Sequence, residues 1–220
     1  MERLTLGRMQ NPVRGFLHGG AALGSVFGIW LLLDRAWARP TAVVGSLVFG
    51  LALLSMYTVS SLYHSYPWSP VWKQRLRKVD HSMIYLVVAG TFTPIAIASL
   101  GGAALMVALS LIWVIALVGI ALKTILPDVK TGLSVTLQMI MGWLAVIWMP
   151  QIYSELGLWA VALIAIGGLC YTIGVVIFTT KRPRLFPRVF SHHEVFHLLV
   201  VAGSAFHFAA ILIYAIPATV

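Results

Sequence analysis

The string His193-Glu194-Val195-Phe196-His197 combines residue types that do metal chemistry. Two histidines four positions apart on a helix project from one face, a turn apart, and can grip a single ion, while the enclosed glutamate is the residue that zincins use as general base. An apolar run follows as far as Ile216, so the motif opens a membrane helix, where ionisable groups are costly and kept for function. His192 is rotated about 100° from His193 and is expected to face the loop or lipid headgroups. His64 is the best third ligand, because Ser60, one turn away on the same face, can hydrogen-bond a ligand or a metal-bound water. Three neutral imidazoles and a water form a four-coordinate site with an exchangeable position, which suits Zn2+; iron or manganese would recruit more carboxylates. Water held there would ionise near neutral pH and supply hydroxide.

Those residues need a frame, and the composition says which. The 220-residue chain is 60% hydrophobic and 10% charged, far too apolar for a soluble domain. The sequence predicts an all-α, polytopic membrane protein, a single seven-transmembrane helix bundle with spans at 15–33, 42–66, 80–100, 102–122, 131–150, 156–179 and 193–216. The net charge of +9 invites a nucleic-acid reading, but the basic residues sit between spans, where topology accounts for them, and no nucleic acid is expected as a partner. Arg3, Arg8, Arg14, Lys73, Arg75, Arg77, Lys78, Lys123, Lys130, Lys181, Arg182, Arg184 and Arg188 fall on one side, and Arg35 and Arg39 on the other. This bias predicts an amino terminus inside and a carboxyl terminus outside. The first span lacks the form of a cleaved signal peptide and is expected to stay.

With that orientation, His18, His64, His81, His192, His193 and His197 all fall at the cytoplasmic ends of their spans, and Asp80 joins them at the start of the third. The topology rests on Lys and Arg alone, so this convergence is a separate signal that one inner-leaflet site is being built. A plainer account, in which each histidine caps a helix or meets headgroups, would not require them to share a leaflet. His18 and His81 are candidates to support the ligands. His207 lies about 15 Å further along the seventh span from His197, too far for the same ion, and is expected to be a hydrogen-bonded residue of the interior.

The remaining features are read as architecture. Pro94 should kink the third span, with nearby threonines available to the freed carbonyls. Trp37, Tyr66, Trp68, Trp72, Trp148, Tyr153 and Trp159 mark an aromatic belt. Gly45, Gly50, Gly167, Gly168, Gly203 and Ser204 let helices approach closely, and Cys170, alone in mid-span, is a packing residue.

Taken in order, Ser60-x-x-x-His64, Asp80-His81-Ser82-Met83-Ile84-Tyr85 running into Ala89-Gly90-Thr91-Phe92-Thr93-Pro94, and His193-Glu194-Val195-Phe196-His197 followed by Ala202-Gly203-Ser204 and His207-Phe208, resemble the hemolysin III family. That family is the bacterial branch of the progestin and adiponectin receptor superfamily, with the alkaline ceramidases as more distant relatives, and the resemblance implies residence in a bacterial inner membrane. The resemblance implies zinc bound by His64, His193 and His197, with Asp80 acting through the bound water and Ser60 supporting it. It favours Asp80 over Glu194 as the group that handles water. Many relatives carry an acidic residue and an asparagine ahead of the first-helix histidine; here Asn11-Pro12-Val13-Arg14 precedes His18, which leaves the role of the first helix open.

Four functions compete at this point. The first is a zinc-dependent intramembrane hydrolase of lipid amide or ester bonds linked to membrane homeostasis, with a membrane lipid as substrate or ligand. The second is a non-enzymatic sensor or regulator of bilayer state in which zinc clamps helices. A membrane-lytic protein and an intramembrane metalloprotease are the others; the latter would need a later carboxylate ligand, and no acidic residue follows Glu194.

Overall fold

The computed structural model describes residues 6, 9, 11–126, 131–186 and 189–219, so Arg3, Arg8, Lys130 and Arg188 of the charge count lie outside the described residues. The architecture is all-helical, with no strand among the described residues. In chain order the helices are α1 (Pro12–Ala36), α2 (Pro40–Ser65), α3 (Pro70–Ser99), α4 (Gly102–Ile125), α5 (Thr131–Trp143), α6 (Met149–Thr180) and α7 (His192–Ala210). A 3-10 segment, Leu144–Trp148, joins α5 to α6, and α7 runs on through a π-helical turn, Ile211–Ala215, into Ile216–Ala218. Proline occupies the first turn of α1, α2 and α3, where its missing N–H would have had no partner in any case.

Six helical stretches are long and apolar enough to cross a membrane. One of them, Gly132–Thr180, runs for 49 residues. As a straight helix it would span about 74 Å, more than twice a hydrocarbon core of about 30 Å. It is not straight. Beyond the 3-10 segment, Gly157 takes φ 81° and ψ 176°, a conformation that side chains with a Cβ avoid. The break falls just past the expected gap between the fifth and sixth spans.

Two expectations are corrected. α3 starts at Pro70, ten residues before the expected 80, so Lys73, Arg75, Arg77 and Lys78 lie on helix rather than in a loop. Hydropathy marks where a helix leaves lipid; lysine and arginine are good helix formers and carry this one further. Trp148 is buried at 8% exposure against Phe92 (ring centroids 5.6 Å apart), whereas Trp37, Tyr66, Trp72, Tyr153 and Trp159 are exposed as a belt requires. The 3-10 segment that ends at Trp148 changes the angular step per residue and turns this ring inward.

α1 packs along α2, α2 along α3, α3 along α4 and α6 along α7, and α1 touches α7. The outer surface is apolar, with Leu23, Met106, Val114 and Leu158 all exposed, as lipid contact demands of a multi-pass membrane protein. Close approach depends on glycine at the α6–α7 crossing: a Cβ on Gly167 would sit 2.5 Å from the His207 ring and 3.0 Å from the Gly203 carbonyl. Gly168 faces open space and does no such packing. α3 continues through Pro94, where the Thr93 hydroxyl donates to the Ala89 carbonyl and accepts from Trp113 Nε1.

Candidate metal centre

The start of α7 is set by a capping box. Ser191 is the N-cap, its side chain accepts from the backbone N–H of Glu194, and Glu194 Oε2 accepts from the Ser191 N–H at 2.8 Å. The other carboxylate oxygen, Oε1, accepts from Arg14 Nε of α1 at 2.8 Å. This fixes His193 and His197 on the first two turns of α7. At the end of α2, Trp68 Nε1 donates to the Leu62 carbonyl, and the Asn11 N–H donates to the His64 carbonyl. Ser61 Oγ donates to the Gly15 carbonyl. The start of α1 is thus fastened to the end of α2 and to the start of α7, the two helix ends that carry the three expected ligands.

The nitrogen ligand atoms of His64, His193 and His197 lie within 4.8 Å of one another, and the three could hold a metal ion. Their ring centroids are 4.9 Å (His64–His197), 5.3 Å (His64–His193) and 4.9 Å (His193–His197) apart. His64 and His197 are buried and His193 is partly so, with Phe178 edge-on to the His193 ring at 5.2 Å. The donor set fits a metal: His197 Nδ1 is buried with no hydrogen-bond partner among the described residues, a costly state for an imidazole unless something else takes its lone pair.

The Ser60 hydroxyl, one turn before His64, lies beside the Asp80 carboxylate, which places Asp80 by the face of α2 that carries His64. Glu194 is 1% exposed, and its two oxygens are taken by the cap and by Arg14, so the geometry gives it a structural role. His192, the first residue of α7, is not in the ligand group; its ring lies 6.4 Å from that of His193, and its Nδ1 is 3.5 Å from Ser191 Oγ. His81 Nδ1 donates to the Arg77 carbonyl of its own helix at 2.6 Å, and its backbone carbonyl accepts from Gln138 of α5. His207 is an interior residue, as expected. Its Nδ1 donates to the Gly203 carbonyl at 2.8 Å and its ring stacks on Tyr171, whose hydroxyl pairs with Ser204 Oγ.

His18 is drawn in more closely than a supporting residue need be, its ring 4.0 Å from that of His197. Sequence reasoning passed over Arg14, counted only as a topology charge, although it lies one turn before His18 on the same face. It also passed over Tyr57, which meets His18 edge-on at 5.0 Å and lies two turns before His64. Helical spacing from a chosen histidine would have found both.

The chain is similar from end to end to known proteins. The profile of the Haemolysin-III related family matches residues 7–208. "Hemolysin-3" of Bacillus cereus is 31% identical over 219 residues, which is 99% of this chain and 97% of the relative. "Hemolysin-3 homolog" of Bacillus subtilis (strain 168) is 32% identical over 201 residues, 90% of this chain and 91% of the relative. The human "Monocyte to macrophage differentiation factor" is 27% identical over 207 residues, covering 90% and 80% of the two chains. A family profile that spans the helices bearing His64, Asp80, His193 and His197, together with relatives matched over nearly their whole length, shows that this chain belongs to the Haemolysin-III related family.

Proposed function

We propose that this chain is a zinc-dependent intramembrane hydrolase that cleaves an amide or ester bond of a membrane lipid, its site in the inner leaflet of a bacterial cell membrane. The proposal takes seven crossings, with the amino terminus inside and the carboxyl terminus outside. The observation that carries the reading is the histidine trio, three nitrogen donors from α2 and α7 that could hold one ion, with the Asp80 carboxylate next to Ser60, one turn before His64.

A zinc ion held by the three imidazoles supplies Lewis acidity toward a carbonyl oxygen and toward water. The chain does the rest. His64, His193 and His197 bring no charge, which leaves the ion strongly electrophilic. Asp80 accepts the proton of the attacking water, and Ser60 aims the carboxylate by donating to one of its oxygens. Glu194 and Arg14 hold α7 in register with α1 and take no proton. Low-dielectric surroundings exclude bulk water, and a lipid reaches the site sideways between helices.

The test is purified protein carrying Asp80→Asn or Ser60→Ala, assayed for zinc content and for turnover of fluorogenic lipid amides and esters. Asp80→Asn should keep its zinc and lose hydrolysis by about a hundredfold or more; Ser60→Ala should keep zinc and lose less. Loss of metal in Asp80→Asn would make the carboxylate a ligand. Absence of turnover by the zinc-loaded parent across the whole panel would sink the enzyme reading.

A further inference from the structure

His18 of α1 lies outside the ligand trio, yet it is 3% exposed and neither ring nitrogen makes a hydrogen bond of proper geometry among the described residues, with the backbone of His197 beside it. Burying an imidazole with both nitrogens unmet is expensive, and native proteins accept it where an occupant meets them. Two neighbours show where that occupant sits. One is His197, its ring 4.0 Å away and tilted by 33°. The other is Tyr57, edge-on at 5.0 Å and 71°, 2% exposed, with a hydroxyl beside Ser204 that lacks a hydrogen bond of proper geometry. The two His18 nitrogens and the Tyr57 hydroxyl are therefore buried and unmet next to a member of the trio.

We infer that His18, backed by Tyr57, hydrogen-bonds the small polar group occupying the open side of the histidine trio, an acceptor such as a carboxylate, a carbonyl oxygen or a small anion. The inference rests on the metal-centre reading above. His18 is not itself a fourth ligand. The ligand atoms that lie within 4.8 Å of one another are those of His64, His193 and His197, and the His18 ring sits beside His197, tilted by 33°, outside that group. What a His18 nitrogen reaches from there is a group bound next to the ion. α1 is also held in place for this contact, because Arg14, one turn before His18, is fastened to Glu194 and so sets α1 against α7.

The experiment uses the full chain in detergent micelles, exchanged with Co2+, whose visible spectrum reports occupancy and whose open position is titrated with azide. His18→Ala should keep one Co2+ per chain and bind azide about tenfold more weakly, the worth of one hydrogen bond to a charged group. His18→Gln, which keeps a donor, should recover most of that loss, and Tyr57→Phe should weaken azide about threefold. Unchanged azide affinity in both His18 variants would make the residue a packing element and overturn the inference, and so would loss of Co2+ from both. A parent protein that takes up no Co2+ would bring down the metal-centre reading and this inference with it. A parent that binds Co2+ and azide but hydrolyses no lipid would leave this inference standing and remove only the enzyme.

Discussion

Glu194 separates two readings of the same five residues, and its replacement can be worked through in numbers. In a zincin the glutamate is free to take a proton from water; here one oxygen caps α7 and the other meets Arg14, with the Arg14 and Glu194 side chains 11% and 1% exposed. Glu194→Ala removes both contacts. Loss of the capping-box hydrogen bond from the Ser191 N–H costs about 1 kcal/mol, and breaking a buried ion pair costs about 3 kcal/mol or more. A total near 4 kcal/mol corresponds to a fall in Tm of roughly 10 °C for a chain of this size. Glu194→Gln keeps an oxygen for the Ser191 N–H and loses only the charge, so its fall should be under half as large. Because His193 sits in the first turn of α7, loosening the cap should also weaken zinc binding in the alanine variant. The assay is thermal unfolding in detergent with and without a chelator, run beside zinc content and lipid turnover per bound zinc. Normal turnover per zinc in Glu194→Gln is the expected result. A Gln variant with parental Tm and full zinc but no turnover would refute the reasoning and make Glu194 the base.

Replacing His64, His193 or His197 by Ala should strip zinc from the purified protein, while His192→Ala should retain it, as read by elemental analysis; full zinc in His64→Ala would exclude α2 as a source of a ligand. Gly167→Ala should be strongly destabilising, since its Cβ meets the His207 ring at 2.5 Å and the Gly203 carbonyl at 3.0 Å, whereas Gly168→Ala, one residue on and facing open space, should change Tm little. Equal Tm for the two would mean that α6 and α7 do not cross there. Reporter fusions should place the amino terminus inside and the carboxyl terminus outside; two termini on one side would leave the histidines without a shared leaflet.

The membrane class, the helices and the histidine trio were legible because each rests on a one-dimensional signal. Apolar runs longer than a bilayer is thick mark spans, and His193 and His197 share a face through spacing alone. Their meeting with His64 was legible only through the alternation of spans, which brings the end of the second beside the start of the seventh. The start of α3 was not, because hydropathy falls at Lys78 and Arg77 while helix propensity does not. Nor was the role of Glu194 legible: the same H-E-x-x-H letters describe a base in mid-helix or a cap in a first turn, and only the position of Ser191 as N-cap, with Arg14 arriving from another helix, decides between them. Charge bias assigns His18 to the same end of the bundle as the expected ligands, but a ring lying 4.0 Å from that of His197 is a tertiary fact that no spacing within α1 encodes.

The division of the ligands between α2 and α7 has a consequence for how the protein is made. His64 is synthesised early, and α1 and α2 can already join through the Asn11–His64 and Ser61–Gly15 contacts. His193 and His197 follow after more than half of the chain, on the last long helix to emerge. A nascent chain therefore has one ligand waiting while the intervening helices are inserted, and the site closes only when α7 enters and its cap meets Arg14. On the proposed metal reading, uptake would act as a late checkpoint on assembly: a chain stalled before α7 would present a lone histidine and hold no ion.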